Sequence, residues 1–468
     1  MGTINSALSL ITGALDADQN ALNVVSNNVA NASNTAYTRE VPNWTENQPI
    51  SINGMAYGTG VTVTGGVSQR DRVLEQRLQQ QTQASASSTA LLTALTTLQS
   101  SFTPASGTST SGDIGTDITN FFNSHTQLES DPTSNPLRQQ ILSSANTLAG
   151  DISSRAASLA AQQSSLDQSA NTVIAQVNAI SASLAQVNVA IQSQSPNQDA
   201  GPLEDQRQAD LTQLAQLIGV NQIATEQNGL SVTTTGGQLL VSEGQLFQIT
   251  TGAVNGVTHF FVGGTDVTSA LASGGGQIGG LLTARDQSIP ATLASLDQLA
   301  YGIATQVNTV NNAGTDLVGD NGNAGNIFNA PTQVAGSAQS MQVVLTDPNK
   351  IAAAGLGLGA GDGGNAVSAA SLAAQAVING QTPSNFYSNL VSTLGATVSE
   401  TTIQGTALSA SLSQLQSQRD SLSAVSLNEE AASLQEFQRS YQAASQVFTI
   451  LNSVYASALN LGVETAVA

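Results

Sequence analysis

Apolar residues recur every seven positions near the carboxyl end of the 468-residue chain, and this repeat constrains the fold more than any other sequence feature. Its two columns consist of Leu427, Leu434, Tyr441, Phe448 and Tyr455, and of Phe437, Ala444 and Leu451. Because no Gly or Pro interrupts residues 427–461, we expect one helix about 50 Å long. A helix of that length with a heptad seam indicates a coiled coil.

The amino-terminal residues carry the same pattern, with an interruption at Asp18. Its apolar positions are Ile4, Leu8, Ile11, Leu15, Leu22, Val25 and Val29. Residues 1–35 contain only two charged side chains, Asp16 and Asp18. A helix with so few charges and an apolar seam is poorly suited to face water and well suited to pack against other subunits. We therefore predict that residues 1–40 and 426–468 form a terminal coiled-coil domain whose two seams are an assembly interface.

The sequence between these two terminal segments predicts two further structural units, one inserted within the other. Helical seams recur within residues 41–225 and 281–425, which we interpret as an elongated helical rod domain. Residues 229–264 contain short β-branched and aromatic runs separated by Gly-Gly, Glu-Gly and Asn-Gly, which favours a small outer β domain at residues 226–280; residues 340–346 could add a strand. The predicted fold class is mainly α with a small β insertion, in nested discontinuous domains.

Charge and composition exclude several functions. There are 31 acidic and 11 basic residues, a net charge of -20, so phosphate backbones and anionic headgroups would be repelled. We expect no nucleic-acid or membrane partner. The absence of Cys excludes disulfides and thiolate chemistry. No basic segment followed by an apolar run marks a cleavable signal peptide, so we expect any export to use another route.

Catalytic and metal-binding patterns are weak. The two histidines, His125 and His259, are too few for a histidine metal site. A Gly-x-Gly-x-x-Gly segment at residues 359–364 lacks the preceding strand that a dinucleotide site requires. Glu429 and Glu430 are explained by the helix macrodipole. We predict no enzyme activity, no cofactor and no metal.

Both ends resemble the bacterial flagellar axial proteins, which include the rod, hook and hook-associated proteins. The amino-terminal resemblance rests on Asn27, Asn28, Ala30, Asn31, Ala36, Tyr37, Thr38 and Arg39. The carboxyl-terminal resemblance rests on Glu429, Glu430, Ala431, Leu434, Gln438, Tyr441, Gln442 and Ala443. Central segments such as "LEDQRQADLTQLAQLIGV" are similar to hook-associated proteins of the junction between hook and filament.

The resemblance implies a structural role at that junction, with self-assembly into a ring through the terminal helices. Implied partners are the hook protein, hook-associated protein 3, and a cytoplasmic export chaperone on the C-terminal helix. It also implies an extracellular location in the flagellum. The alternative is another axial protein, namely hook-associated protein 3 or a hook or rod protein. Asn27, Asn28, Asn31, Tyr37 and Arg39 would form a joint that turns the chain away from the first helix.

Overall fold

The structure is a computed structural model that describes residues 2–34, 36–52, 54–102, 113–194 and 200–464. It is 65% helical with a few small β-sheets, which confirms the predicted fold class. The α-helices of the described residues are α1 Gly2–Ala30, α2 Arg72–Ser100, α3 Ile114–Ser130, α4 Asn135–Gln194, α5 Pro202–Leu217, α6 Thr268–Gly274, α7 Gly276–Thr283, α8 Ile289–Ala313, α9 Ser337–Ser340, α10 Gly364–Ser371, α11 Pro383–Ser423 and α12 Leu427–Glu464. A π-helical turn, Ala284–Ser288, joins α7 to α8, and a 3-10 turn covers Pro348–Lys350.

The strands form two groups. They are β1 Glu40–Glu46, β2 Ile50–Ile52, β3 Met55–Tyr57, β4 Val61–Ser68, β5 Val220–Ala224, β6 Leu230–Thr234, β7 Leu239–Ser242, β8 Gln245–Leu246, β9 Ile249–Val254, β10 Val257–Val262 and β11 Thr265–Asp266. β1 and β4 pair as an antiparallel hairpin whose tip is the short β2–β3 ribbon. The second group consists of an antiparallel sheet β5-β6-β7-β8 and a sheet β11-β10-β9.

The 60-residue helix α4 is the axis of the rod and is about 90 Å long. Its first half packs with α3 and α8, and its second half packs with α5 and α7. Among the described helices, α4 is long and apolar enough to cross a membrane, but 44% of its most apolar window is buried inside the protein. That burial is typical of a core helix.

Two apolar cores lie along the rod. One joins α2, α3, α8 and α11 to the first half of α4; the other joins its second half to α5, α7 and the β5–β10 strands. Arg285, which is 2% exposed, links them: its Nη1 lies 2.6 Å from Asp167 Oδ1 and its guanidinium lies 5.8 Å from the Phe260 ring centroid. The β unit is thereby held against the rod.

At the other end of the molecule, α1 packs along α12, and the hairpin formed by β1 and β4 packs on α1. The Trp44 and Phe437 rings lie 5.9 Å apart, which joins β1 to α12. The end of α1 lies beside the start of α12, since Asn28 donates to Glu430. The two terminal helices therefore run antiparallel.

The β unit differs from the predicted span 226–280. Its strands begin earlier, at Val220, because β5 and β6 are joined by a tight turn with positive φ at Gln227 and Asn228. Within the predicted span, the residues that follow Val267 lie mostly in α6 and α7. Gly236 and Gly237, and Gly263 and Gly264, do lie in turns between strands, as predicted. Gly279 and Gly280 belong instead to α7, where a Cβ on Gly280 would overlap the Ser87 carbonyl of α2. Here Gly permits close helix packing.

Two other predicted spans also differ in detail. Within residues 340–346 only Val343 forms a bridge, to Phe328, and no strand of that segment is present in the part of the chain described. The predicted rod span 41–225 opens with the hairpin, which packs chiefly on α1 and not on the rod helices. The domain limits remain predictions, and residues 465–468 of the terminal span lie outside the described residues.

Candidate functional site: the joint at the base of the terminal helices

Asn28, in the last turn of α1, is the centre of a buried polar cluster and is 1% exposed. Its Nδ2 donates to the Glu40 carbonyl at 2.8 Å and to Glu430 Oε2 at 2.9 Å. Its Oδ1 accepts the Tyr37 hydroxyl at 2.8 Å and the Glu40 amide at 3.0 Å. All four hydrogen-bonding positions of the amide are therefore used, and they join residues 402 positions apart.

Arg39 makes the second connection to the C-terminal helix. Its Nε lies 2.7 Å from Glu430 Oε1, and its Nη1 lies 3.0 Å from Glu429 Oε2. The Arg39 amide also donates to the Ser423 carbonyl at the end of α11. Glu430 is 1% exposed, so its charge is buried and is balanced by Arg39 and Asn28.

Behind this pair, the chain leaving α1 is fixed to the rod helix α5. Arg70 pairs with Asp205 and with Glu204 Oε2, the latter at 3.3 Å, and donates to Thr38 Oγ1 at 2.9 Å. The Thr38 amide donates to Asp205 Oδ2 at 3.3 Å. The joint thus connects the terminal helix pair to the rod through buried charged groups.

Tyr37 lies between these two layers. Burial, followed by the charges of Glu40, Asp205 and Glu430, raises the pKa of Tyr37 above its ordinary value. Its hydroxyl therefore keeps its proton and remains the donor to Asn28.

Asn27 and Asn31 form the local part of the joint. Asn31 Nδ2 donates to the Asn27 carbonyl and to Asn27 Oδ1, both at 3.0 Å, and Asn27 Nδ2 donates to Tyr37 Oη at 3.3 Å. These bonds follow the last turn of α1, where the final carbonyls of a helix lack partners within it. The structure therefore brings together all five side chains predicted for the joint.

The predicted seam residues divide by exposure. Val25 is buried, while Val29, Leu427 and Tyr441 are exposed. The partly buried positions are Ile4, Leu8, Ile11, Leu15, Leu22, Leu434, Phe437, Phe448, Leu451 and Tyr455. Two packed helices cover only one side of each seam, so partial burial is the expected state of the pair on its own.

Several residues of the joint were missed or misread in the sequence. Arg70, Glu204 and Asp205 carry no local signal, because their pairing spans more than a hundred residues. The macrodipole interpretation of Glu429 and Glu430 is incomplete: both side chains bind Arg39. Residues 205–207 lie in the segment "LEDQRQADLTQLAQLIGV", whose only signal in the sequence is its resemblance to hook-associated proteins.

The two histidines and the Asp/Asn/Gly-rich loop at residues 315–326 have structural roles. Burial against Phe121 lowers the pKa of His125 to about 4, and His259 Nδ1 lies 2.6 Å from Asp266 on a hairpin. Asp316 Oδ1 accepts three successive backbone amides from residues 318–320, the arrangement of a turn. Within the ranges described above, no group of three His, Cys, Asp or Glu side chains is suited to a metal ion.

Comparisons with known proteins agree with this architecture. The family model of the flagellar hook-associated protein FlgK helical domain matches residues 105–328. Flagellar hook-associated protein 1 of Bacillus subtilis (strain 168) is 24% identical over 495 aligned positions, which cover 96% of each chain. Flagellar hook-associated protein 1 of Escherichia coli (strain K12) is 27% identical over 335 positions, covering 68% of this chain and 58% of that relative.

The matched region thus spans less than two thirds of the Escherichia coli relative and nearly all of the Bacillus subtilis one. Among solved structures, the flagellar hook junction protein FlgK from Burkholderia pseudomallei aligns with a TM-score of 0.65 and 18% identity, over 74% of this chain and 100% of that one. At that identity the structural match shows the fold.

Paired terminal helices, a joint that ties them to a rod, and an outer β unit give an architecture of nested units that extend from the two chain ends. In sequence and in fold the chain is similar to flagellar hook-associated protein 1.

Proposed function

We propose that this chain is a structural component of the bacterial flagellum that forms the junction between hook and filament and assembles through its N- and C-terminal helices. The main support for this proposal is the joint, in which Asn28 and Arg39 bind Glu430, a residue about 400 positions later in the sequence. It makes the two ends one unit and sets their direction relative to the rod. A subunit that joins neighbours through its ends needs such a fixed connection.

In this proposal the assembly interface comprises the seam residues of α1 and α12, and the joint residues orient it. The half-buried seams support this, because apolar surface left partly exposed by a helix pair can be covered by neighbouring subunits. Assembly into a ring is part of the same proposal. The three domains with the limits given above would be the assembling end, the connecting rod and an outer β unit.

The proposed partners are the hook protein on one side, hook-associated protein 3 on the other, and an export chaperone that binds α12 before assembly. The relatives are named for association with the hook, which supports the hook protein as a partner. We further propose export without a cleavable signal peptide and a location outside the cell.

We also propose that the chain has no enzymatic activity. The cleft beside the joint is lined in part by residues of the joint, including Tyr37 and Thr38. Their polar groups are engaged in hydrogen bonds within the protein. A role as another axial protein is less favoured, because the relatives that match carry the name hook-associated protein 1.

Electron microscopy of isolated hooks from a strain lacking this protein tests the proposal. Purified full-length chain should add to the distal end of these hooks. A variant lacking residues 1–35 and 427–468 should not add, although its rod remains helical by circular dichroism. If both forms add, the ends are not the joining surface. If neither form adds, the proposed function is refuted.

A further inference from the structure

Strand β9 of the outer β unit has one edge without a partner strand. Its sheet has the order β11-β10-β9, so β9 pairs with β10 on one side, and no strand within the described residues lies on its other side. The edge of a sheet presents a row of backbone amides and carbonyls that an added strand can bind. The pairing of β10 shows which groups of β9 point to this open edge.

The backbone groups of Thr251 point away from β10. Thr251 lies opposite Phe260 in the register. The Phe260 amide donates to Thr268 Oγ1 at 2.9 Å, and the Phe260 carbonyl accepts the Val267 amide at 2.8 Å. Neither group of Phe260 is therefore bonded to Thr251. Because the bonded and non-bonded pairs of an antiparallel ladder alternate, Ala253 shares this outward orientation.

Asn178 of α4 shows how this edge is recognised. Its Oδ1 accepts the Ile249 amide at 2.9 Å, and its Nδ2 donates to the Ile249 carbonyl at 2.8 Å. An amide side chain thus supplies the donor and the acceptor that the backbone of a neighbouring strand would supply. Ile249 belongs to the same alternate set as Thr251 and Ala253, so those two residues carry the next outward donors and acceptors along β9.

An open groove of about 710 Å³ lies along these free groups. It is lined by Asn171, Ala175 and Asn178 of α4 and by residues 249–253 of β9, among others. At one end of the strand, Asn178 binds Ile249. At the other end, Asp167 Oδ2 accepts the Thr258 hydroxyl at 2.8 Å, and Thr258 is paired with Ala253. Helix α4 therefore follows the whole length of the free edge.

The groove is lined by uncharged residues. Residues 168–194 of α4 and residues 244–264 include no Asp, Glu, Lys or Arg. The exposed α4 residue that lines the groove is the small Ala175. A charged group entering here would lose water without gaining a partner of opposite charge. The groove therefore suits a ligand with small, uncharged side chains and an extended backbone.

We propose that this groove binds an extended peptide segment of a partner protein, with small uncharged side chains, as an added strand beside β9. The backbone of the segment pairs with the amides and carbonyls of Thr251 and Ala253, and its alternate side chains lie near Ala175 of α4. Strand addition takes its affinity from main-chain hydrogen bonds and its specificity from the surface that meets alternate side chains. The site belongs to the outer β unit and is independent of the role proposed for the terminal helices.

Binding of a synthetic peptide to the full-length chain tests this site. The probe is a short capped peptide of alternating Thr and Val that carries a fluorophore, and binding is followed by fluorescence anisotropy. Thr251→Pro removes one outward amide and leaves the bonds to β10 intact, since Pro is tolerated on an edge strand. We expect it to lose affinity on the order of ten-fold, whereas Thr251→Val keeps the amide and should bind within about two-fold of wild type.

A second pair of variants acts from the opposite wall of the groove. Ala175→Glu places a longer, charged side chain at an exposed position of the groove and should reduce binding on the order of ten-fold. Ala161→Glu, exposed on the same helix outside the groove, should bind as wild type does. If Thr251→Pro lowers the melting temperature, the two Ala variants decide the result, and equal binding by both overturns the proposal.

Hydrogen exchange locates the contact. Without peptide, the amides of Thr251 and Ala253 should exchange faster than those of Thr250 and Gly252, which face β10. With peptide, the two outward amides should be protected several-fold. Absence of binding to wild type, unchanged binding by a folded Thr251→Pro variant, or protection confined to other residues would overturn the proposal. Protection of Thr251 that grows with protein concentration alone would assign the edge to a second copy and would also overturn it.

Discussion

At the scale of single residues, the joint depends on groups whose hydrogen-bonding capacity is fully used. Asn28 contacts two backbone groups and two side chains, and no other side chain of similar size offers two donors and an acceptor in that arrangement. Without the Asn28 amide, the buried carboxylate of Glu430 would lose one of its hydrogen-bond donors. Substitution here affects several groups at once.

Asn28→Ala should lower the free energy of unfolding of the terminal unit by about 1–3 kcal/mol. The substitution removes the hydrogen bonds that Asn28 makes to the Glu40 backbone and the Glu430 carboxylate, and these groups remain buried. Hydrogen exchange at the end of α1 and the start of α12 measures this. Asn23→Ala on the exposed side of the same helix is the control. Unchanged exchange in the Asn28 variant would mean that the joint does not hold the ends together.

A second residue-scale feature is the buried carboxyl group of Asp117 in α3. Burial, together with Asp151 of α4 and Asp113 before α3, raises its pKa to about 7. Asp117 Oδ2 and Asp151 Oδ2 both lie buried without a hydrogen-bond partner, so the protein gives the Asp117 carboxylate little compensation for the loss of water, and its neutral form is favoured. Tyr387 of α11 and Arg155 of α4 are the other titratable groups nearby.

Since the pKa of Asp117 is higher in the folded state than in the unfolded chain, its contribution to stability is complete below about pH 4 and is lost as the pH rises through about 7. Asp117→Asn should therefore become more stable relative to wild type as the pH increases over this window. Urea unfolding at pH 4, 5, 6, 7 and 8 measures the difference. Glu129→Gln, exposed on the same helix, should show no such trend.

At the scale of secondary-structure elements, the sequence predicted helices well where a periodic seam ran uninterrupted. α4, α11 and α12 are long and carry regular apolar positions, so period alone indicates them. Elements built on Gly were missed. In α7 the Gly residues serve packing against α2, and composition cannot distinguish that use from a turn. The pairs of Arg70 with Asp205 and Glu204 required knowledge of the tertiary fold.

Gly280→Ala should destabilise the protein by about 1–3 kcal/mol, because the added Cβ overlaps the Ser87 carbonyl and forces α7 away from α2. Gly150→Ala in α4 is the matched control. Nothing lies within 4 Å of a Cβ at Gly150, so that change should stabilise by up to about 1 kcal/mol through helix propensity. Thermal unfolding of both variants gives the comparison; equal effects would mean that α7 packs more loosely than described.

The seams give a prediction about assembly. Leu434→Asp or Phe448→Asp should prevent addition to hooks while the rod remains folded, because a buried, unpaired charge costs several kcal/mol. Electron microscopy reports addition, and circular dichroism reports the rod. Ser445→Asp, on an exposed position of α12, is the control. Loss of the whole fold in the Leu434 variant would instead indicate a seam that stabilises the monomer.

At the scale of the whole molecule, the terminal helix pair and the rod have separate packing and meet chiefly at the joint. The two large apolar cores contain residues of the rod and the β unit and none of α1 or α12. We therefore expect the ends and the rod to unfold independently.

Deletion of residues 427–468 should make the amides of α1 exchange rapidly, since the helix that packs along it is removed. The amides of α4 should keep their protection, because its partners remain in place. Hydrogen exchange followed by mass spectrometry compares the two helices in one experiment. Matching loss of protection in α4 would show that the ends and the rod form a single cooperative unit.

The distance along the chain between Asn28 and Glu430 also sets an order in time. During synthesis α1 leaves the ribosome before the rod and α12 leaves after it, so the joint closes only after the residues between Asn28 and Glu430 have been added. Closure of so long a loop is slow relative to local helix formation. A chain that stops before Glu430 leaves Asn28 and Arg39 without their partners, so an incomplete copy lacks the paired ends by which we propose that complete copies assemble.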